Sequence, residues 1–208
     1  TAVFLAEAAP KKLAAVVKPA VELLAGIPSV IYGLVGILVL NPVMYKLELF
    51  LFQNSKTHQF TGGANLISAV IVLAIMILPT VINISESALK AVPQNLKSAS
   101  LALGASHIQT IFKVMIPAAK SGILAAVILG VGRALGETMA VMMVVGNQPR
   151  VPNSILQGVR TLTTNIVMEM GYATDLHREA LIATGVVLFA FILIINLCFS
   201  AIKRSGKE

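Results

Sequence analysis

An all-α fold, a polytopic bundle of transmembrane helices, is what this sequence predicts, and three observations carry the prediction. Of the 208 residues, 57% are apolar and only 12% charged, with mean hydropathy +0.87, whereas a soluble domain needs about a quarter charged residues to cover its surface. Four apolar blocks, residues 20–40, 64–84, 122–145 and 181–202, reach the roughly 20 residues that a helix needs to cross a hydrocarbon core. No period-two alternation suggests barrel strands, and an isolated span must satisfy its backbone hydrogen bonds internally, so the blocks are helices. Residues 1–208 read as one transmembrane domain. Cys198 is the only cysteine, which excludes a disulfide scaffold, and low charge with abundant Leu, Ile and Val is the opposite of disorder.

In chain order, Thr1 to Ala6 (TAVFLA) reads like the exit end of a hydrophobic helix, and the chain opens without methionine. Both predict an N-terminal truncation that removes one or two spans; a signal peptide would carry its lysines first. In the first span, Gly26, Pro28, Gly33 and Gly36 predict a kink tolerated inside a bundle, with a broken helix end at an anion as the other use. The loop 85–121 joins the second and third spans. Gly104 offers a turn there and Ser106 an N-cap, and Ile108, Ile111, Phe112 and Met115 repeat at helical spacing before Pro117, giving a compact knob with one apolar face. In the stretch 146–179, Ile155, Leu156, Val159, Leu162, Ile166, Val167 and Met170 predict an amphipathic helix capped by Asn153 or Ser154.

The basic residues sort by connection. Lys11, Lys12, Lys18, Lys90, Lys97, Lys113, Lys120, Lys203, Arg204 and Lys207 fall on one side of the membrane, against Lys46, Lys56, Arg150, Arg160 and Arg178 on the other. The excess predicts that both ends of this chain and the loop 85–121 are cytoplasmic. Scattered between apolar blocks, these residues form no stripe for nucleic acid.

Arg133 lies at the middle of the third block, with Glu137 one turn later. A charge at bilayer centre costs about 2.5–3.5 kcal/mol on insertion scales, and intramembrane ionisable residues mark pathways by default. The plainer reading is a structural Arg133/Glu137 pair, since four residues separate them on one helical face. Ala126, Gly130, Gly136 and Ala140 lie within about 60° of the Arg133 direction; such a face serves close helix packing or leaves room for a solute. A solute at Arg133 would be an oxyanion, because guanidinium offers a planar fork of donors matched to phosphate or carboxylate. Glu137 would then hold Arg133 between passages or bind a protonated phosphate oxygen.

The loop resembles the EAA loop of ABC-importer permeases: Ser98-Ala99-Ser100, then Gly104, then Val114, Ile116 and Pro117 keep its spacing, with Ser98 where the family has an acidic residue. Leu24-Ala25-Gly26-Ile27-Pro28-Ser29-Val30-Ile31-Tyr32-Gly33 and Arg133-Ala134-Leu135-Gly136-Glu137-Thr138 resemble the phosphate-specific members, and Met139-Ala140-Val141 with Gly146-Asn147 is closer to their C-type (PstC-like) subunits. The resemblance implies a type I ABC-importer permease fold (MetI-like) with a cytoplasmic coupling-helix loop, in a bacterial or archaeal plasma membrane, moving inorganic phosphate inward. It implies a homologous second permease, two cytoplasmic ATPase subunits that bind ATP and Mg, an external phosphate-binding protein and membrane lipid as partners. Arg133, Glu137 and Thr138 fall in the pathway under this reading, and Ala99, Gly104, Ile108, Ile111, Phe112, Ile116 and Pro117 in the ATPase coupling surface.

The chain has no Gly-x-x-x-x-Gly-Lys-Ser/Thr string to cradle ATP phosphates, so energy is expected from a partner and no catalytic residue is expected here. His58, His107 and His177 are scattered over different loops without the i, i+4 spacing of a helical metal site, and Cys198 reads as a small core residue. Two other classes stay open: a secondary anion transporter, for which Glu137 is the candidate ion site, and a membrane scaffold.

Overall fold

The computed structural model describes residues 1–53 and 59–205; Lys56, His58 and Lys207, which entered the expectations above, lie outside them. Eleven α-helices follow in order: α1 (Lys11–Gly26), α2 (Ser29–Val35), α3 (Asn41–Leu51), α4 (Leu66–Lys90), α5 (Gln94–Ala102), α6 (His107–Thr110), α7 (Ile116–Ala118), α8 (Lys120–Leu135), α9 (Met139–Val144), α10 (Leu162–Glu169) and α11 (Asp175–Ser205). Three π-helical turns, Phe4–Ala8, Gly36–Leu40 and Ile111–Met115, complete the order among the described residues. Each π turn ends two residues before a proline: Pro10, Pro42 and Pro117. Proline lacks an N–H and its ring pushes on the carbonyl four residues back, and a wider i→i+5 turn, such as the Asn41 N–H to Gly36 carbonyl bond, lets the helix run on without that clash.

Three helical stretches are long and apolar enough to cross a membrane: Ser29–Leu51, Leu66–Lys90 and Asp175–Ala201. A fourth is reached when His107–Ala118 and Lys120–Leu135, which meet at 67°, are taken together. The helix boundaries differ from two of the four expected blocks. The first lies at Ser29–Leu51 rather than at 20–40, because Pro28 (ψ 141°) stops α1 and starts α2, while Pro42 is absorbed by the π turn instead of ending the span. The third is not one helix over 122–145: α8 begins at Lys120, and the chain leaves the helix at Gly136, Glu137 and Thr138 before α9.

The chain forms two compact units: Thr1–Gly26, Ile77–Arg133 and Ile195–Glu208 make the first, and Ile27–Met76 with Ala134–Ile194 the second. In the first, Leu89, Val92, Met115 and Ala119 form a core that Val3, Ala6, Ile116 and Ile123 surround. Ion pairs fasten the start of the chain there, Lys97 to Glu7 at 2.5 Å and Lys18 to the buried Glu86 at 3.6 Å, and Glu86 also pairs within α4 with Lys90 at 2.5 Å. In the second, Ala69, Val72, Ala140, Val141, Val144, Val145 and Val159 form the core. Gly33 and Gly36 do not break a helix there; a Cβ on Gly33 would lie 2.7 Å from the Met143 sulfur and one on Gly36 2.5 Å from Val144 Cγ1, so both let α2 and its continuation press against α9. The N-terminal turn of α4 is closed by the loop before α10, with Leu66 and Ile67 N–H groups donating to the Gln157 and Ile155 carbonyls, which satisfies donors that a helix start leaves orphaned.

Candidate functional site

Arg133 sits near the end of α8 and lines a cavity of about 630 Å³ in the first unit with Thr80 of α4, Ala125, Leu129 and Gly132 of α8, and Asn196 and Ser200 of α11. Its Nη1 donates to Thr80 Oγ1 at 3.3 Å. Of the four expected small residues, Ala126 and Gly130 lie in α8, Gly136 follows its end and Ala140 belongs to α9. A Cβ on Gly130 would lie 2.7 Å from Val81 Cγ2 and one on Gly122 2.5 Å from the Ala88 Cβ, and Ala126 between them is fully buried. This four-residue ladder packs α8 on α4 in the small-xxx-small manner. Gly132 has nothing within 4 Å of where a Cβ would stand, so open space lies beside the guanidinium. The arrangement offers one permanent cation with hydroxyl and amide groups that both donate and accept, a set that suits an oxyanion, including a protonated one.

Glu137 belongs to the break after α8 and to the second unit, so one continuous helical face no longer relates it to Arg133. Its Oε1 accepts from the Ala140 N–H at 3.1 Å, capping α9, and its carbonyl accepts from the Thr163 hydroxyl at 3.2 Å. Thr138 donates its hydroxyl to the Gly136 carbonyl at 3.3 Å. Thr80, Asn196 and Ser200 were not among the expected site residues. A signal for them existed: Asn196 and Ser200 are polar residues at i, i+4 in an otherwise apolar span, where polar groups seek partners.

The loop between α4 and α8 folds as a knob. Gly104 (φ +83°) turns the chain after α5 in a conformation that costs glycine least. Ser106 caps α6 as expected, accepting the Gln109 N–H at 3.2 Å while its own N–H donates to Gln109 Oε1 at 2.9 Å, a full capping box. The single apolar face expected there divides in two. Ile108 (69% exposed) and Phe112 (64%) point outward beside Leu103 (89%), whereas Ile111 and Met115 are buried and Ile116 packs on the first core. Ala99, Gly104 and Pro117 are exposed.

The amphipathic helix expected across 155–170 is shorter. Its cap is Thr161 rather than Asn153 or Ser154, with Thr161 Oγ1 accepting the Thr164 N–H at 3.2 Å, and the preceding residues are turns whose carbonyls close α4. At the far end of α10, Glu169 is held below the usual carboxylate range, first by a hydrogen bond from Tyr172 and then by Arg160, against the opposing effect of burial; the same bond raises the Tyr172 hydroxyl. Cys198 is exposed rather than a core residue. Among the described residues, no three His, Cys, Asp or Glu side chains gather as a metal site.

A multi-helix membrane protein with a charged, partly open cavity and a rigid apolar knob on one connection has the architecture of an ABC-importer permease. Residues 1–205 match the family model described as "Binding-protein-dependent transport system inner membrane component", and the chain belongs to that family. It is 42% identical to the probable ABC transporter permease protein YqgH of Bacillus subtilis, over 94% of this chain and 62% of that protein. It is 38% identical to the phosphate transport system permease protein PstC of Xylella fastidiosa (strain 9a5c), over 100% of this chain and 67% of that one. The chain therefore spans about two thirds of the length of these relatives. Among solved structures, a chain of the MetNI methionine ABC transporter in an inward-facing form superposes with a TM-score of 0.72 at 20% identity, over 99% of this chain and 83% of that chain, a likeness of fold. The protein is a multi-pass component of the inner membrane.

Proposed function

We propose that this chain is the membrane-spanning part of an ATP-driven importer that carries inorganic phosphate into the cytoplasm, with Arg133 as the group that holds the anion in passage. The observation that carries the reading is the placement of Arg133 at an open cavity flanked by Thr80, Asn196 and Ser200, since a guanidinium at membrane depth is retained against a cost of a few kcal/mol. The similarity to PstC supports phosphate as the oxyanion. Glu137, by capping α9, sets where the chain leaves the helix one turn after Arg133, and Thr138 closes the same turn; both then shape the path rather than neutralise the arginine. The exposed Leu103, Ile108 and Phe112 with Ala99, Gly104 and Pro117 form the surface that enters a cytoplasmic ATPase, as an apolar knob enters a groove, while Ile111 and Ile116 anchor the knob from beneath.

The partners under this reading are a second, homologous permease, two ATPase subunits holding ATP and Mg, and an external phosphate-binding protein. The excess of basic residues favours the cytoplasm for both ends of this chain and the knob, and the Glu7–Lys97 pair, which ties the start of the chain to the connection bearing the knob, supports one side for both. Reconstitution of the full-length protein with its partners in liposomes tests the assignment. Arg133→Ala is expected to abolish ATP-dependent phosphate uptake with the complex still assembled, and Arg133→Lys to recover only part of it, because a point charge lacks the fork. Equal uptake by wild type and Arg133→Ala defeats the pathway role.

A further inference from the structure

The stretch between α9 and α11 holds a second cationic cavity, of about 400 Å³, which Arg150 and Arg160 line with Thr161, Asn165 and Thr184. The two arginines are held very differently. Arg160, only 19% exposed, donates from Nε to the Asn147 carbonyl at 3.1 Å and from Nη1 to Glu169 Oε1 at 2.6 Å and Asn165 Oδ1 at 3.4 Å. Its Nη2 has no partner among the described residues. Arg150 is exposed and donates only from Nη1, to Gln59 Oε1 at 2.9 Å, which leaves Nε and Nη2 open among the described residues. Among the described residues, Glu169 is the one carboxylate bonded to either guanidinium, and it is also committed to Tyr172. Two guanidiniums line one concave surface, and Glu169 pairs with Arg160 alone, so the surface carries an excess positive charge. Such an excess is best met by an anion whose oxygens take the open N–H groups in charge-assisted pairs. Thr161, Asn165 and Thr184 add hydroxyl and amide groups to the two guanidiniums, and Pro149, Val151 and Leu162 supply the apolar part of the wall, so the polar end of an occupant is an anion.

We propose that this cavity binds a phosphate-type oxyanion, free inorganic phosphate or the phosphate of a lipid headgroup, between the internally bonded Arg160 and the exposed Arg150. Only its placement on the outer side of the membrane rests on the functional reading above; the binding itself does not require Arg133. Arg150 carries the test, because replacing Arg160 would break three internal hydrogen bonds and disturb the fold.

The full-length protein is purified in detergent with its second permease and ATPases but without the external binding protein, in an Arg133→Ala background, so that the cavity at α8 contributes no binding. Equilibrium dialysis with radiolabelled inorganic phosphate is expected to show binding that weakens at least about tenfold when Arg150→Ala is added and returns in part with Arg150→Lys. In parallel, the complex extracted from phosphatidylglycerol vesicles is weighed by native mass spectrometry. A phospholipid retained with Arg150 and lost in Arg150→Ala assigns the site to lipid, and phosphate binding without retained lipid assigns it to the free anion. If neither phosphate binding nor lipid retention changes in Arg150→Ala, the proposal is overturned. Failure of the Arg133 reading shows separately, as uptake that survives Arg133→Ala whatever Arg150 does.

Discussion

A single hydroxyl steadies the guanidinium on which the transport reading depends. Thr80 Oγ1 accepts from Arg133 Nη1 at 3.3 Å, a long bond between side chains that both face the cavity, and the net value of such a bond is about 1 kcal/mol. Thr80→Val, close in shape but without the hydroxyl, is therefore expected to lower phosphate uptake several-fold and leave assembly intact; initial uptake rates in liposomes check it, and an unchanged rate would show that the arginine is positioned without it. Arg133 was legible in the sequence because an intramembrane charge is conspicuous against apolar neighbours. Thr80 was not, since a threonine in a span is unremarkable until the fold shows which helix it faces. Where the Glu137 carboxylate goes was not legible for a related reason. Spacing gives its distance along an ideal helix, but the helix ends at Leu135, and the carboxylate finds the Ala140 N–H instead.

The same contrast recurs along helices. The long apolar helices Leu66–Lys90 and Asp175–Ala201 overlap the second and fourth expected blocks, because a long apolar block favours a helix that satisfies its backbone hydrogen bonds internally. The boundary of the first span was not, because Pro28 and Pro42 act oppositely: one starts a helix, the other is accommodated by a π turn, and that difference depends on local backbone freedom which a count of apolar residues does not see. In the knob, Ile108 and Phe112 form one stripe at i, i+4 and Ile111 and Met115 another. Periodicity marked both, and only burial tells the anchor from the exposed surface. Phe112→Asp is accordingly expected to leave thermal stability within about 0.5 kcal/mol of wild type, as for other exposed positions, and to lower ATP-driven uptake. Ile111→Asp puts an unpaired charge under the knob and is expected to cost several kcal/mol. Thermal unfolding beside uptake separates the two, and stable, fully active Phe112→Asp would remove the knob from the coupling surface.

For the molecule as a whole, the arrangement of charge across the membrane gives the most direct check. With Cys198 replaced by Ser, a membrane-impermeant maleimide applied to intact cells is expected to label Val151→Cys, at a position 87% exposed, and not Leu103→Cys, at one 89% exposed. The reverse pattern would invert the orientation read from the lysines and arginines. Beneath all of this, Gly122, Ala126 and Gly130 seat α8 on α4 by close steric fit, separately from the Arg133–Thr80 hydrogen bond between the same helices. The keel that carries the arginine is thus independent of the cargo it meets. Under the proposed function, the few side chains around the guanidinium can change to suit another anion with the underlying fit left untouched and no new fold.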